Sequence, residues 1–92
     1  MIQSFRHRGL ERFFTQGDKR RIPPPFANRL RRILARLHNA QEIRDMDAPG
    51  LALHPLRGQQ TGFWAVRVSG NWRIIFRFED GKAFEVNLVD YH

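Results

Sequence analysis

The sequence predicts a single α+β domain in the order βααβββ, with a small antiparallel-rich sheet and two N-terminal helices on one face. Two observations carry that prediction. Apolar residues recur at helical spacing up to about residue 50, and beyond it they alternate with period two. The chain has 92 residues, the length of one domain, here residues 1–92. A domain this small buries only about 60–65% of its unfolded surface, which leaves no room for a second lobe or a deep cofactor cavity.

The elements follow in order. "IQSF" (2–5) has the short alternating pattern of a first strand. "GLERFFTQG" (9–17) places Leu10, Phe13 and Phe14 at helical spacing, with Gly17 as a stop. "DKRRIPPP" (18–25) is a connector whose prolines suit the first position of the next helix. From Phe26, apolar residues at 26, 30, 33, 34 and 37 make an amphipathic helix. Arg29, Arg32 and Arg36 share one flank of it and Arg31 lies on the other, which read alone is a solvated face. "QEIRDMDAPG" (41–50) is a helical turn that breaks at Pro49-Gly50. Strands at 63–69, 71–78 and 83–92, joined at "SGN" and "EDGK", form a meander.

Pairing the apolar faces sets a register. Val68 is expected opposite Trp72, Val66 opposite Ile74 and Trp64 opposite Phe76. Arg67 then faces Arg73 directly. Like charges opposed across a sheet repel, and a bound anion relieves them. In the last strand the same face pairs Phe78–Phe84, Phe76–Val86, Ile74–Leu88 and Trp72–Asp90. The chain end therefore falls beside the start of the middle strand, near Arg73.

Charge narrows the function. Sixteen Lys and Arg against nine Asp and Glu give +7, and only Lys19 and Lys82 are lysine. Residues 1–45 hold eleven basic and four acidic residues and residues 46–92 five of each, so the whole excess lies in the first half. Arginine's planar fork suits phosphate, and the asymmetry points to a polyanion, nucleic acid first. There is no cysteine, hence no disulfide scaffold or thiolate metal site. No apolar leader or membrane-length run occurs, so the protein is expected to be soluble and cytoplasmic. No H-E-x-x-H spacing, P-loop, dinucleotide fingerprint or serine elbow is present, and no metal or cofactor is expected.

Four histidines remain: His7, His38, His54 and His92. His7 precedes a helix and says little. His38 reads as a cap or dipole partner near a helix end. His54, in "LHPLRG" (53–58), and His92, in the closing "DYH", stand apart. With Arg57, Arg73, Asp90 and Tyr91 they are expected to gather at one edge of the sheet. Such a group can act on RNA without metal. One side chain takes the 2′-hydroxyl proton, another protonates the leaving 5′-oxygen, and cations hold the charged phosphorane. Imidazole suits proton transfer because its ordinary pKa is about 6.5.

The opening "MIQSFRHRGLERFF", then "LHPLRG", "VSGNWRIIFRF" and the final "VDYH" together resemble the HigB toxins of the RelE superfamily of type II toxin–antitoxin systems. The similarity runs nearly end to end, and the chain is expected to stop where such toxins stop. The resemblance implies a compact RelE-like βααβββ fold and a ribosome-dependent mRNA endonuclease acting in the 30S A site. It implies no cofactor, a HigA-like helix-turn-helix antitoxin, and operator DNA bound only through that antitoxin. Active-site positions fall on His54, Arg57, Arg73, Asp90, Tyr91 and His92. On that reading His54 and His92 move protons, Asp90 orients an imidazole or a ribose hydroxyl, and Tyr91 stacks on a base or bonds phosphate. Arg57 and Arg73, with Arg67 opposite, hold the scissile phosphate. Arg29, Arg32 and Arg36 become candidates for contact with ribosomal RNA. Where the family often has lysine this chain has Arg57, which keeps the charge but effectively cannot release a proton. The competing reading is a non-catalytic basic module that binds nucleic acid or an acidic peptide.

Overall fold

The computed structural model describes residues 1–91. Helix α1 (Arg8–Gln16) and helix α2 (Ala27–Asn39) precede a four-stranded antiparallel sheet. Its strands, β1 (His54–Pro55), β2 (Phe63–Ser69), β3 (Trp72–Glu79) and β4 (Lys82–Asp90), lie side by side in chain order. The predicted α+β architecture is therefore the one observed. No helix among the described residues is long and apolar enough to cross a membrane.

Helix α1 stops at Gly17, whose N–H donates to the Phe13 carbonyl at 3.0 Å and whose φ of 72° turns the chain so that the Asp18 N–H reaches the Arg12 carbonyl at 3.3 Å. Helix α2 follows a 3₁₀ turn at Pro24–Phe26, where proline's missing N–H costs nothing. Leu10, Phe13, Leu30, Ile33, Leu34 and Leu37 from the helices meet Val66, Val68, Ile74, Phe76, Val86 and Leu88 from the sheet in one core. All these sheet residues lie on one face, so the helices cover that face and leave the other open.

The opening strand is present only in fragments. Ile2 bridges Ala83 and Phe5 bridges Val86, both parallel to β4. Between them Glu85 bulges out with φ 55°, and the Ser4 hydroxyl, not a carbonyl, accepts its N–H at 2.9 Å. The bulge interrupts the pairing locally, and backbone hydrogen bonds flank it, Gln3 N–H to the Ala83 carbonyl at 2.7 Å and Arg6 N–H to the Val86 carbonyl at 2.8 Å. The turn at 41–50 is a 3₁₀ segment over Ile43–Met46, ending before Pro49-Gly50.

Most of the expected register is seen: Trp64–Phe76, Val66–Ile74, Arg67–Arg73, Ile74–Leu88 and Trp72–Asp90. Two bulges correct the rest. Between Arg67 and Ser69 the pairing slips, so Ser69 and not Val68 faces Trp72. Beyond Ile75 it slips again, so Phe78 faces Ala83 in place of Phe84, and Phe76 and Val86 lie at the irregularity and do not pair. An extra residue lets Val68 and Val86 stay in the core while the chain twists, which alternation alone does not reveal.

Candidate active site

The open face is built in rows, because directly opposed residues share a face. One row is Arg67–Arg73–Val89, the next is His54–Ala65–Ile75–Asn87, and the third is Phe63–Arg77–Phe84. Ala65 and Ile75 are 0% and 3% exposed yet lie outside the helix-side core. They lie buried between two charged or aromatic rows.

Arg67 and Arg73 are direct cross-strand partners. Neither has an acidic partner within ion-pair distance among the described residues. Arg73 is held at the hairpin, where its Nη1 donates to the Gly70 carbonyl at 2.7 Å and the Trp72 carbonyl at 3.0 Å. Those bonds fix the guanidinium and leave its other donors for a ligand. Two opposed cations are an unfavourable arrangement for the bare fold and a favourable one for a phosphate.

His54 stands one row away, its strand bonded to β2 opposite Ala65. Its exposed ring places Nδ1 2.9 Å from the Ala52 carbonyl. A carbonyl only accepts, so Nδ1 carries hydrogen and Nε2 is the nitrogen that gains and loses a proton. Ala52 adopts φ 50° to present that carbonyl, a left-handed conformation that costs about 1 kcal/mol for a residue with a Cβ. Arg57 is exposed and precedes a 3₁₀ turn at Gly58–Gln60 that leads back into β2.

The chain end divides. Asp90 pairs with Trp72, whose ring packs on Phe26 at 5.7 Å. Asp90 therefore stands exposed at the sheet's rim, one residue beyond the Arg67–Arg73–Val89 row. Tyr91 is exposed and its N–H donates to the Asn71 carbonyl at 2.9 Å, which holds the end against the β2–β3 hairpin. His92 lies outside the described residues.

The arginine row of α2 also divides. Arg29 donates from Nε to the Val68 carbonyl and from Nη2 to the Gly50 carbonyl at 2.9 Å. It thus gives a partner to the Val68 carbonyl, at the β2 bulge next to Arg67. Arg36 donates to the Asp45 carbonyl at 2.8 Å. Two members of an apparently solvated row are loop anchors, while Arg32 stays exposed without a hydrogen bond among the described residues.

Sequence reasoning missed what three side chains do. His7 is the N-cap of α1, its Nδ1 accepting the Leu10 N–H at 2.9 Å; the signal was only its place one residue before the helix. Burial and, less, the nearby Arg21 lower its pKa from the ordinary 6.5, which keeps the accepting nitrogen free. His38 does not cap its own helix. Its Nδ1 accepts the Ile2 N–H at 3.2 Å and ties the N-terminal segment down. Arg77 lies over the Phe84 ring at 4.6 Å, with Glu79 at 3.1 Å and Glu85 at 3.4 Å.

A family model described as the RelE-like toxin of type II toxin-antitoxin system HigB matches residues 3–92. A Proteus vulgaris protein named Endoribonuclease HigB is 38% identical over 92 residues, covering 100% of both chains. A Vibrio cholerae serotype O1 protein named Toxin HigB-1 is 33% identical over 90 residues, covering 96% of this chain and 95% of that one.

Proposed function

The chain belongs to the HigB-like family, the RelE-like toxins of type II toxin–antitoxin systems, and from that premise we propose that it is an endoribonuclease cutting translated mRNA in the ribosomal A site. The observation that carries the reading is the opposed Arg67–Arg73 pair with His54 one row away on the open face. Rows two residues apart are separated by about 6.8 Å, a distance that side chains reaching toward one phosphate can close.

The chemistry is proton transfer without a metal. His54 accepts the ribose 2′-hydroxyl proton at Nε2 as that oxygen attacks the adjacent phosphorus. Arg73 and Arg67 hold the charge that gathers on the phosphorane oxygens, a contribution of about 10²–10³-fold per well-placed donor. The bond to the 5′-oxygen breaks, and His92 supplies the proton that the leaving oxygen needs. Asp90 orients an imidazole or the attacking hydroxyl, Tyr91 stacks on a base, and Arg57 adds charge without giving up a proton. A shallow open face positions RNA poorly by itself, so the ribosome supplies the positioning. Arg32 is available for the ribosomal RNA backbone; Arg29 and Arg36 contribute mainly through the loops they hold. A helix-turn-helix antitoxin of the HigA kind neutralises the toxin in the cytoplasm and carries any contact with operator DNA.

The test is induction in a bacterium with transcript 5′ ends mapped, for wild type, His54→Ala, Arg73→Gln and His92→Gln. Cuts in register with codons, lost in all three variants while ribosome association persists, are expected. Cuts without codon register refute the A-site assignment, and absence of cleavage by wild type favours the non-catalytic binding module.

A further inference from the structure

We propose that the open face carries a second nucleotide subsite, in which a base of the bound RNA stacks on Arg77 between Phe63 and Phe84. The proposal rests on the RNA-cutting reading and deepens it by extending the strand's path beyond the scissile phosphate. Three observations lead there.

First, Phe63 and Phe84 are half-buried aromatics that do not join the core. Phe5, Phe14, Phe78, Trp64 and Trp72 all pack against the helix-side cluster, and these two do not. They instead flank Arg77 in one cross-strand row on the face that no helix covers. Second, the guanidinium of Arg77 is built as a plate. Glu79 at 3.1 Å and Glu85 at 3.4 Å engage its N–H groups, and the Phe84 ring backs it at 4.6 Å. Its side chain is still 33% exposed. Two carboxylates cancel its charge and repel phosphate, so what it offers is a flat face, the surface on which bases stack.

Third, the spacing fits a strand of RNA. The aromatic row lies four residues along β2 from Arg67, about 13 Å, and the residues between, Ala65 and Ile75, are buried and apolar and put no competing charge in the path. An extended single strand anchored by a phosphate at the arginine pair spans that gap in roughly two nucleotides. Stacking tolerates any base, so the subsite adds affinity and fixes the strand's direction without reading sequence.

The test uses the full chain and 5′-labelled 2′-O-methyl oligouridines, which bind but lack the attacking hydroxyl. Anisotropy is measured with a trimer and a hexamer. The hexamer is expected to bind about tenfold tighter than the trimer, within the range for stacking one base. The double variant Phe63→Leu/Phe84→Leu, which keeps apolar bulk, is expected to lose that tenfold and to change trimer binding less than twofold. One abasic position in the hexamer should reproduce the loss on unaltered protein, which keeps the test decisive should the variant misfold. Equal hexamer binding by wild type and the double variant, with no sensitive abasic position, overturns the subsite, as does failure of the unaltered protein to bind either length. It would also favour a protein partner on these rings. Arg73→Gln separates the two claims. If it leaves trimer binding unchanged, the phosphate reading of the arginine pair fails; if it weakens trimer binding while the phenylalanines matter at neither length, only the subsite fails.

Discussion

Replacing Arg67 with glutamine should make the protein more stable and less active at once. Arg67 faces Arg73 across the β2–β3 ladder with no acid in ion-pair reach of either among the described residues. Two unit charges about 7 Å apart in a largely aqueous environment, with an effective dielectric of about 60, repel by about 0.8 kcal/mol. Salt reduces this: with a Debye length of about 30 Å at 0.01 M and about 8 Å at 0.15 M, about 0.6 and about 0.3 kcal/mol remain. Both values fall inside the range of about 0.2–1 kcal/mol for cross-strand pairs. For a domain this size, 1 kcal/mol moves Tm by about 4–8 °C. Arg67→Gln should therefore raise Tm by about 4 °C in low salt and about 2 °C in physiological salt. Cleavage in a translating extract should fall by about 10²-fold, the loss of one charge-stabilising donor. The paired assays are thermal melts at two ionic strengths and primer-extension mapping of the cut message. A gain in Tm that does not shrink with salt refutes the electrostatic account. Unimpaired cleavage refutes the placement of Arg67 at the phosphate.

Four further outcomes are expected. Lowering the His7 pKa makes the cap's stabilisation complete above about pH 6.5 and lost as pH falls through the folded-state value; His7→Asn, which caps without titrating, should flatten the decline in Tm between pH 7.5 and 5, and His7→Ala should cost about 1 kcal/mol by urea melts at pH 7.5. Gly9→Ala improves helix propensity, but a Cβ there would meet the Arg21 Cβ at 2.6 Å, so calorimetry should record a net loss of about 1 kcal/mol. Arg29→Met should cost about 2 kcal/mol by releasing the Val68 and Gly50 carbonyls, whereas Arg32→Met should leave chemical melts unchanged. Removing residues 90–92 should abolish toxicity in induced cells with a near-native circular dichroism spectrum, since the core's last residue is Leu88.

The sequence announced the helices and the meander through periods of 3.6 and two, and it opposed Arg67 to Arg73 because both neighbours alternate inward. It announced neither bulge. Val68 and Glu85 sit in unbroken alternating patterns, and the extra residue at each follows from how far the sheet must twist to keep its apolar side under two helices. The roles of His7, Arg29 and Arg36 were hidden for a related reason. Each binds a backbone group, and Arg29 and Arg36 reach a loop whose location no local pattern encodes.

Composition and period are local properties, so the chain alone determined its class, its basic first half, the faces of its helices and the match to a toxin family. Which side chains share a row was decided by tertiary packing, because a one-residue slip reverses every side chain beyond it. The sheet's bulges therefore decided that Phe84 joins Phe63 and Arg77 in one row, that Ser69 and not Val68 faces Trp72, and that the open face is a strip of three rows.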